Sequence, residues 1–154
     1  MKKILLGLFL LLGVVSFALP NYVDAQKLKK SGYEITEEGE NGFRIAREKN
    51  KEEGTVVLYY LDYINDNPAK ELSEMSIKTA PEEFKYLGST QSEKAYINKF
   101  VSPEDRDVYS FVGKKSKLKN CYLVIMHFTN KKLSDSEAEK LAETLLNEAE
   151  SFLK

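Results

Sequence analysis

One cysteine and one histidine, each the only residue of its type in the chain, stand six positions apart in the run Cys121-Tyr122-Leu123-Val124-Ile125-Met126-His127-Phe128. A thiol and an imidazole are the parts of a nucleophilic dyad if they can share a hydrogen bond. The run is apolar or aromatic on both alternating faces, the pattern of a strand with neighbours above and below it. Even spacing puts both side chains on one face, but six strand steps hold their backbones roughly 20 Å apart. A dyad within the chain is excluded, leaving a core thiol and a packed or edge-exposed imidazole. One histidine and one cysteine also cannot make a tetrahedral zinc site in a monomer unless carboxylates supply the rest.

Three other sets of residues have chemical potential. Asp62, Asn65, Asp66 and Asn67, and separately Glu104, Asp105 and Asp107, are rich in the hard oxygens that calcium prefers. Neither set has the alternating acids, central glycine and terminal glutamate of an EF-hand loop, so turn formation and helix capping are the expected roles. Lys114, Lys115, Lys117 and Lys119 crowd one turn, where they can meet an anion or keep a hairpin solvated. Tyr59, Tyr60 and Tyr63 can line an aromatic pocket for a small apolar or sugar ligand, or belong to the core with hydroxyls at the sheet edge. No catalytic residue, cofactor or metal-ligand set follows, and no Gly-x-Ser-x-Gly, phosphate-loop or dinucleotide pattern is present.

The elements that must position these groups follow from periodicity. After the Cys121 strand, Ser134 and Glu137 have the spacing of a capping box, with Leu133 placed to staple onto Ala138. Ala138, Leu141, Ala142, Leu145, Leu146, Ala149, Phe152 and Leu153 then repeat at three- and four-residue steps, opposite Glu139, Lys140, Glu143, Glu148 and Glu150. Such a stripe needs a sheet to lie on. Thr55 to Ile64 is apolar on both faces and is expected to be a central strand. Asn21 to Gly32 reads as a short helix with Asn21 as its cap, and Asn67-Pro68 opens another that Pro81 closes. Tyr33 to Thr36 and Phe43 to Arg47 read as half-exposed paired strands. Phe84 to Leu87, Lys94 to Val101, Arg106 to Gly113 and Asn120 to Thr129 read as an antiparallel meander. The expected class is α+β, an antiparallel sheet covered by helices in α/β/α layers, in the order α-βββ-α-ββββ-α. Strand alternation then places Ser102 to Asp105 at the sheet end of Asn130 to Lys132, with the lysine turn at the other end.

The 154 residues suit one domain with a core of its own. Met1-Lys2-Lys3, the apolar run Ile4 to Val15 and the small residues of Ser16-Phe17-Ala18 match an export signal. Cleavage after Ala18 is expected, with Ala25 a second site and a retained anchor the third possibility; residues 1–18 are then the signal and residues 19–154 a single α+β domain. The run is shorter than the roughly 20 residues of a spanning helix, so no membrane span is expected after cleavage. Loss of Lys2 and Lys3 leaves 21 basic against 24 acidic residues, a formal charge of −3 that disfavours general nucleic-acid binding. With one cysteine, no internal disulfide can form.

Phe84-Lys85-Tyr86-Leu87-Gly88, the strands Lys94 to Val101 and Arg106 to Gly113, the Tyr122 to Phe128 strand and the closing Glu150-Ser151-Phe152 together carry a resemblance to known proteins. Over Phe84 to Lys154 the chain resembles the PsbP-like and DcrB-like group of small exported or lumenal domains. That resemblance implies an α/β/α layer fold and a non-enzymatic role in assembling, stabilising or chaperoning a partner, and it transfers no functional residue. The expected function is an exported, non-enzymatic binding or accessory domain of the bacterial envelope, periplasmic or secreted. It would meet an envelope protein or small ligand through a protein surface or shallow pocket. The alternative is a small envelope hydrolase with paired carboxylates.

Overall fold

The computed structural model describes residues 19–154 except residues 40, 51 and 52; the expected leader, residues 1–18, lies outside them. In chain order the elements are α1 (Ala25–Lys30), β1 (Glu34–Gly39), β2 (Gly42–Glu48), β3 (Thr55–Asp62), α2 (Pro68–Lys78), β4 (Lys85–Gln91), β5 (Ala95–Val101), β6 (Asp107–Gly113), β7 (Cys121–Thr129) and α3 (Asp135–Glu150). The strands form one seven-stranded sheet in the order β1-β2-β3-β7-β6-β5-β4. Every neighbouring pair is antiparallel. The expected α+β class and element order are therefore present. β3 and β7 lie at the centre because each is apolar on both faces, and the sheet can bury such a strand only between neighbours and beneath helices on both sides.

Alternation along β3 divides the core. Val56, Leu58 and Tyr60 join the cluster under α1 and α3, together with Phe43, Ile45, Phe111, Leu123 and Ile125. Val57, Tyr59 and Leu61 join the cluster under α2, with Phe100, Val124, Met126 and Phe128. On α3 the apolar stripe buries Ala138, Ala142, Leu145, Leu146 and Ala149. Each leucine so buried contributes about 2 kcal/mol, more than the intrinsic helix preference of any one residue. The capping box is complete, with the Glu137 amide donating to Ser134 Oγ at 3.2 Å and the Ser134 amide to Glu137 Oε2 at 2.9 Å. Gly42 and Gly54 have positive φ at points where a Cβ would lie within 2 Å of the Tyr60 and Phe128 carbonyl oxygens. Only glycine lets the backbones approach so closely there.

Several boundaries differ from expectation. α1 is capped by Asp24, whose Oδ1 accepts from the Lys27 amide at 3.1 Å, not by Asn21. Residues 22–24 instead pair with the C-terminus: Val23 bridges Leu153, the Asp24 amide donates to the Phe152 carbonyl and the Lys154 amide to the Tyr22 carbonyl, both at 2.7 Å. At α2, the Asn67 side chain makes no capping bond and the Asn67 carbonyl accepts from Glu71. β2 is more buried than half-exposed, since Phe43 and Ile45 enter one core and Arg44 the opposite face. β4 runs to Gln91 because an edge strand exposed on both sides needs no apolar alternation. Asp107 pairs with Thr129 and Cys121 opens β7 beside the lysine turn, so the two loops fall at opposite sheet ends as alternation required.

Candidate functional site

A groove of about 340 Å³ lies between α1 and the edge strand β1, lined by Ala25, Leu28, Lys29, Gly32, Tyr33, Glu34 and Ile35. Leu28 and Tyr33 are its buried floor, and Ile35 is its apolar lip at 42% exposure. Beneath that floor a polar brace fixes the geometry. Arg47 grips Glu148 with both nitrogens, Nη1 to Oε1 at 2.7 Å and Nη2 to Oε2 at 3.2 Å, and Nη1 also reaches the Ser31 carbonyl at 3.2 Å. The Tyr33 hydroxyl donates to Glu148 Oε2 at 3.0 Å, while the Arg47 guanidinium sits 4.3 Å over the Tyr33 ring. Burial, then the Glu148 carboxylate, pushes the Tyr33 hydroxyl upward, so it stays a donor. One side chain from each of β2 and α3 and one from the α1–β1 turn thus meet at a fork-shaped contact that holds three elements in register. Glu148, expected on the solvent side of α3, is half-buried for this reason.

The three tyrosines do not share one cavity. Tyr60 faces α3, stacks on Phe43 at 4.4 Å and donates its hydroxyl to the Ala149 carbonyl at 2.7 Å. Tyr59 faces the α2 side, below the Arg44 guanidinium at 6.0 Å. Tyr63, just past β3, donates to Glu71 Oε2 at 2.9 Å and packs against the α2-side core. Neighbouring residues of a strand point to opposite faces, which separates Tyr59 from Tyr60.

The lysine turn is partly built into the fold. Lys114 donates to Gln91 Oε1 at 2.7 Å and lies 4.7 Å over the Tyr96 ring. Lys117 Nζ reaches the Glu150 carbonyl at 3.2 Å and the Leu153 carbonyl at 2.9 Å, a cation at the negative end of α3. Lys115 and Lys119 are exposed.

Cys121 and His127 lie on the α3-side face, opposite Asp62 and Val56 in the register. Burial, then Asp62, pushes the Cys121 thiol up to about 11, which suppresses the nucleophilic thiolate. His127, 7% exposed, has a buried Nδ1 with no hydrogen-bond partner. Desolvation, then the Arg106 charge, brings it down to about 4, so the imidazole is neutral at ordinary pH. Among the described residues two carboxyls are raised by desolvation, Glu37 and Asp62. Glu37 pairs with Arg44 at 3.5 Å on the α2 side, whereas Asp62 follows Tyr60 by two residues on the other face, so these two acids do not converge. Among the described residues no group of three or more His, Cys, Asp or Glu side chains is placed to hold a metal, and no helix is long and apolar enough to cross a membrane.

Sequence reasoning missed a buried polar network between α2 and the sheet. Asn98 Nδ2 donates to the Ser73 carbonyl, Ser73 Oγ and Ser76 Oγ at 3.2, 3.1 and 2.9 Å. Ser110 Oγ lies 3.2 Å from Ser76 Oγ, and Ser89 Oγ donates to Asn98 Oδ1 at 2.6 Å. The signal was there: Asn98 and Ser110 occupy strand positions whose neighbours two residues away, Tyr96 and Phe100 and Val108 and Val112, are apolar or aromatic, and Ser73 and Ser76 lie on the buried face of α2 with Ala69 and Leu72. A buried amide needs such partners, and together they fix how α2 sits on β5 and β6.

Comparison with protein-family models, curated proteins and solved structures finds no match to this chain.

Proposed function

We propose that the chain is an exported, non-enzymatic binding or accessory domain of the bacterial cell envelope, acting through the shallow groove between α1 and β1. The observation that carries this reading is the groove's construction: an apolar floor and lip, set beside an edge strand and stiffened by the Arg47–Glu148–Tyr33 brace. A pre-formed apolar groove beside a strand edge suits an extended apolar segment of a partner, whose backbone can pair with β1 while its side chains meet Leu28 and Ile35. The resemblance of Phe84 to Lys154 to PsbP-like and DcrB-like domains supports the accessory role, and the basic and apolar residues of the first 18 positions support export with cleavage near Ala18. The hydrolase alternative needs two acids in one cleft; Glu93, Glu139 and Glu143 line one open groove in which Glu143 is paired with Lys94, while Glu37 and Asp62, the carboxyls raised by desolvation among the described residues, lie on opposite faces of the sheet.

Selection of peptides from a random display library against the folded chain tests the reading. Apolar extended peptides are expected, binding in the micromolar range and at least tenfold more weakly to Ile35→Lys. Peptides whose binding ignores Ile35→Lys would remove the groove, and turnover of a glycan or peptide panel, abolished by single Glu or Asp to Ala changes, would establish the hydrolase instead.

A further inference from the structure

The charges around the α1–β1 groove are of both signs, but they are sorted by wall. α1 carries Lys27, Lys29 and Lys30 and no acid, whereas β1 carries Glu34, Glu37 and Glu38 and no cation. Register decides which of the acids share the groove's face of the sheet. Ile35 pairs with Ile45 and Glu38 with Phe43, and both of those β2 residues enter the cluster under α1 and α3. The ladder is irregular between Ile35 and Glu37, so from Tyr33 onward the groove side reads Tyr33, Ile35, Glu38 instead of every second residue. Glu34 and Glu37 pair with Ala46 and Arg44 on the other face, Glu34 exposed at the rim and Glu37 lying 3.5 Å from the Arg44 guanidinium. The nearby cations are placed elsewhere: Arg47 on Glu148, Lys27 Nζ on the Ser151 carbonyl, Lys29 on the α1 wall and Lys30 at the end of that helix. Glu38 is half-buried and makes no ion pair among the described residues, and its Oε2 is enclosed without a hydrogen-bond partner there.

We infer that the segment this groove takes is basic as well as apolar: extended along β1, with an apolar side chain against Ile35 and, two or three positions away, a lysine or arginine on Glu38. Pairing with the free edge of β1 sets this arrangement, because side chains opposite one another on one face of a ladder come within about 5 Å. The lysines of α1 stand on the other wall and do not take part in that ladder. A cation beside Glu38 gives its enclosed oxygen the donor it lacks, whereas an acid there meets a like charge. An oppositely charged pair of this kind multiplies affinity up to about fivefold, and a like-charged pair divides it by about as much. The inference names the chemistry of the segment and rests on the groove reading above.

Short synthetic extended peptides test it, alike except for a lysine, glutamine or glutamate placed two or three positions from a single leucine, and titrated onto the chain beginning at Leu19 by fluorescence anisotropy. The lysine peptide is expected to bind about fivefold more tightly than the glutamine peptide and roughly tenfold or more over the glutamate peptide, with the differences shrinking in high salt. Glu38→Gln is expected to bring the three affinities to within about twofold of one another, and Glu38→Lys to reverse their order. Unchanged thermal melts confirm that both variants fold. Ile35→Ser is expected to weaken all three peptides alike, and Glu74→Gln on the exposed side of α2 to change none. Binding that depends on Ile35 but shows no order among the peptides, the same order in Glu38→Gln, or a preference for glutamate, which Lys29 would attract, would overturn the inference and leave the groove standing. Binding of none of the three, or binding that ignores Ile35→Ser, would remove the groove and this inference with it.

Discussion

Neutral His127 makes the fold sensitive to acid by an amount the structure sets. In the folded chain its imidazole is 7% exposed and titrates at about 4, against an ordinary value of 6.5. The unfolded chain binds a proton at the ordinary value, so protonation favours unfolding once the pH drops below it. The contribution is fully present above pH 6.5, is lost progressively between pH 6.5 and about 4, and is constant below that. Each tenfold step in this window is worth about 1.4 kcal/mol, so acidification from pH 7 to pH 4 costs about 3 kcal/mol through this one group. That is a large part of the roughly 5–15 kcal/mol that stabilises a domain. Urea unfolding of the wild type and of His127→Gln at a series of pH values measures it, because carboxylate titrations common to both chains cancel in the difference. The two stability curves are expected to run parallel above pH 6.5 and to converge or cross below it, with the wild type losing about 3 kcal/mol more by pH 4. Curves that stay parallel to pH 4, or a native imidazole seen by NMR to titrate above pH 6, would refute the reasoning.

Asn98→Ala should cost about 2–3 kcal/mol in urea unfolding, since it removes the bonds Asn98 gives to the Ser73 carbonyl and the Ser73 and Ser76 hydroxyls and takes from the buried Ser73 hydroxyl its side-chain partner in the α2 interface. A double-mutant cycle on Arg47→Met and Glu148→Gln should return a coupling of about 1–3 kcal/mol, since both side chains are largely enclosed; a coupling near zero would leave the groove without its brace. Cys121 should resist thiol reagents at pH 8 in the native chain and react once urea unfolds it, because a thiol near 11 is almost entirely protonated. A chain beginning at Gln26 rather than Leu19 loses the Val23–Leu153 bridge and the Asp24 cap; its Tm should fall by about 10 °C, corresponding to about 3 kcal/mol.

What the sequence disclosed were the features that depend on near neighbours. The Ser134–Glu137 box, the α3 stripe and the two-faced runs of β3 and β7 are local patterns with one solution, and together they require a sheet with helices on both sides. The parity of Tyr59 and Tyr60 is equally local and already forbids a shared pocket for the pair. What stayed hidden were contacts between positions distant in the chain. Asn21 and Asp24 are both competent caps, and the choice falls to Asp24 because Tyr22 and Val23 are committed to the C-terminal residues, a pairing no local pattern announces. Lys117 looks like a solvated charge until the end of α3 arrives beside it. Glu148 reads as outward-facing because the helical wheel contains no Arg47. The groove itself is a relation between α1 and an edge strand, so only the fold could produce it.

Site-specific photo-crosslinking in the producing cells addresses the binding role most directly. A photoreactive phenylalanine analogue is placed at Ile35 in the groove, and in a second strain at Glu139 on the outer face of α3. The account predicts one discrete envelope-protein adduct from position 35, absent from position 139 and suppressed when Leu28→Asp is added. The absence of any adduct at 35, or the same adducts from both positions, would contradict it.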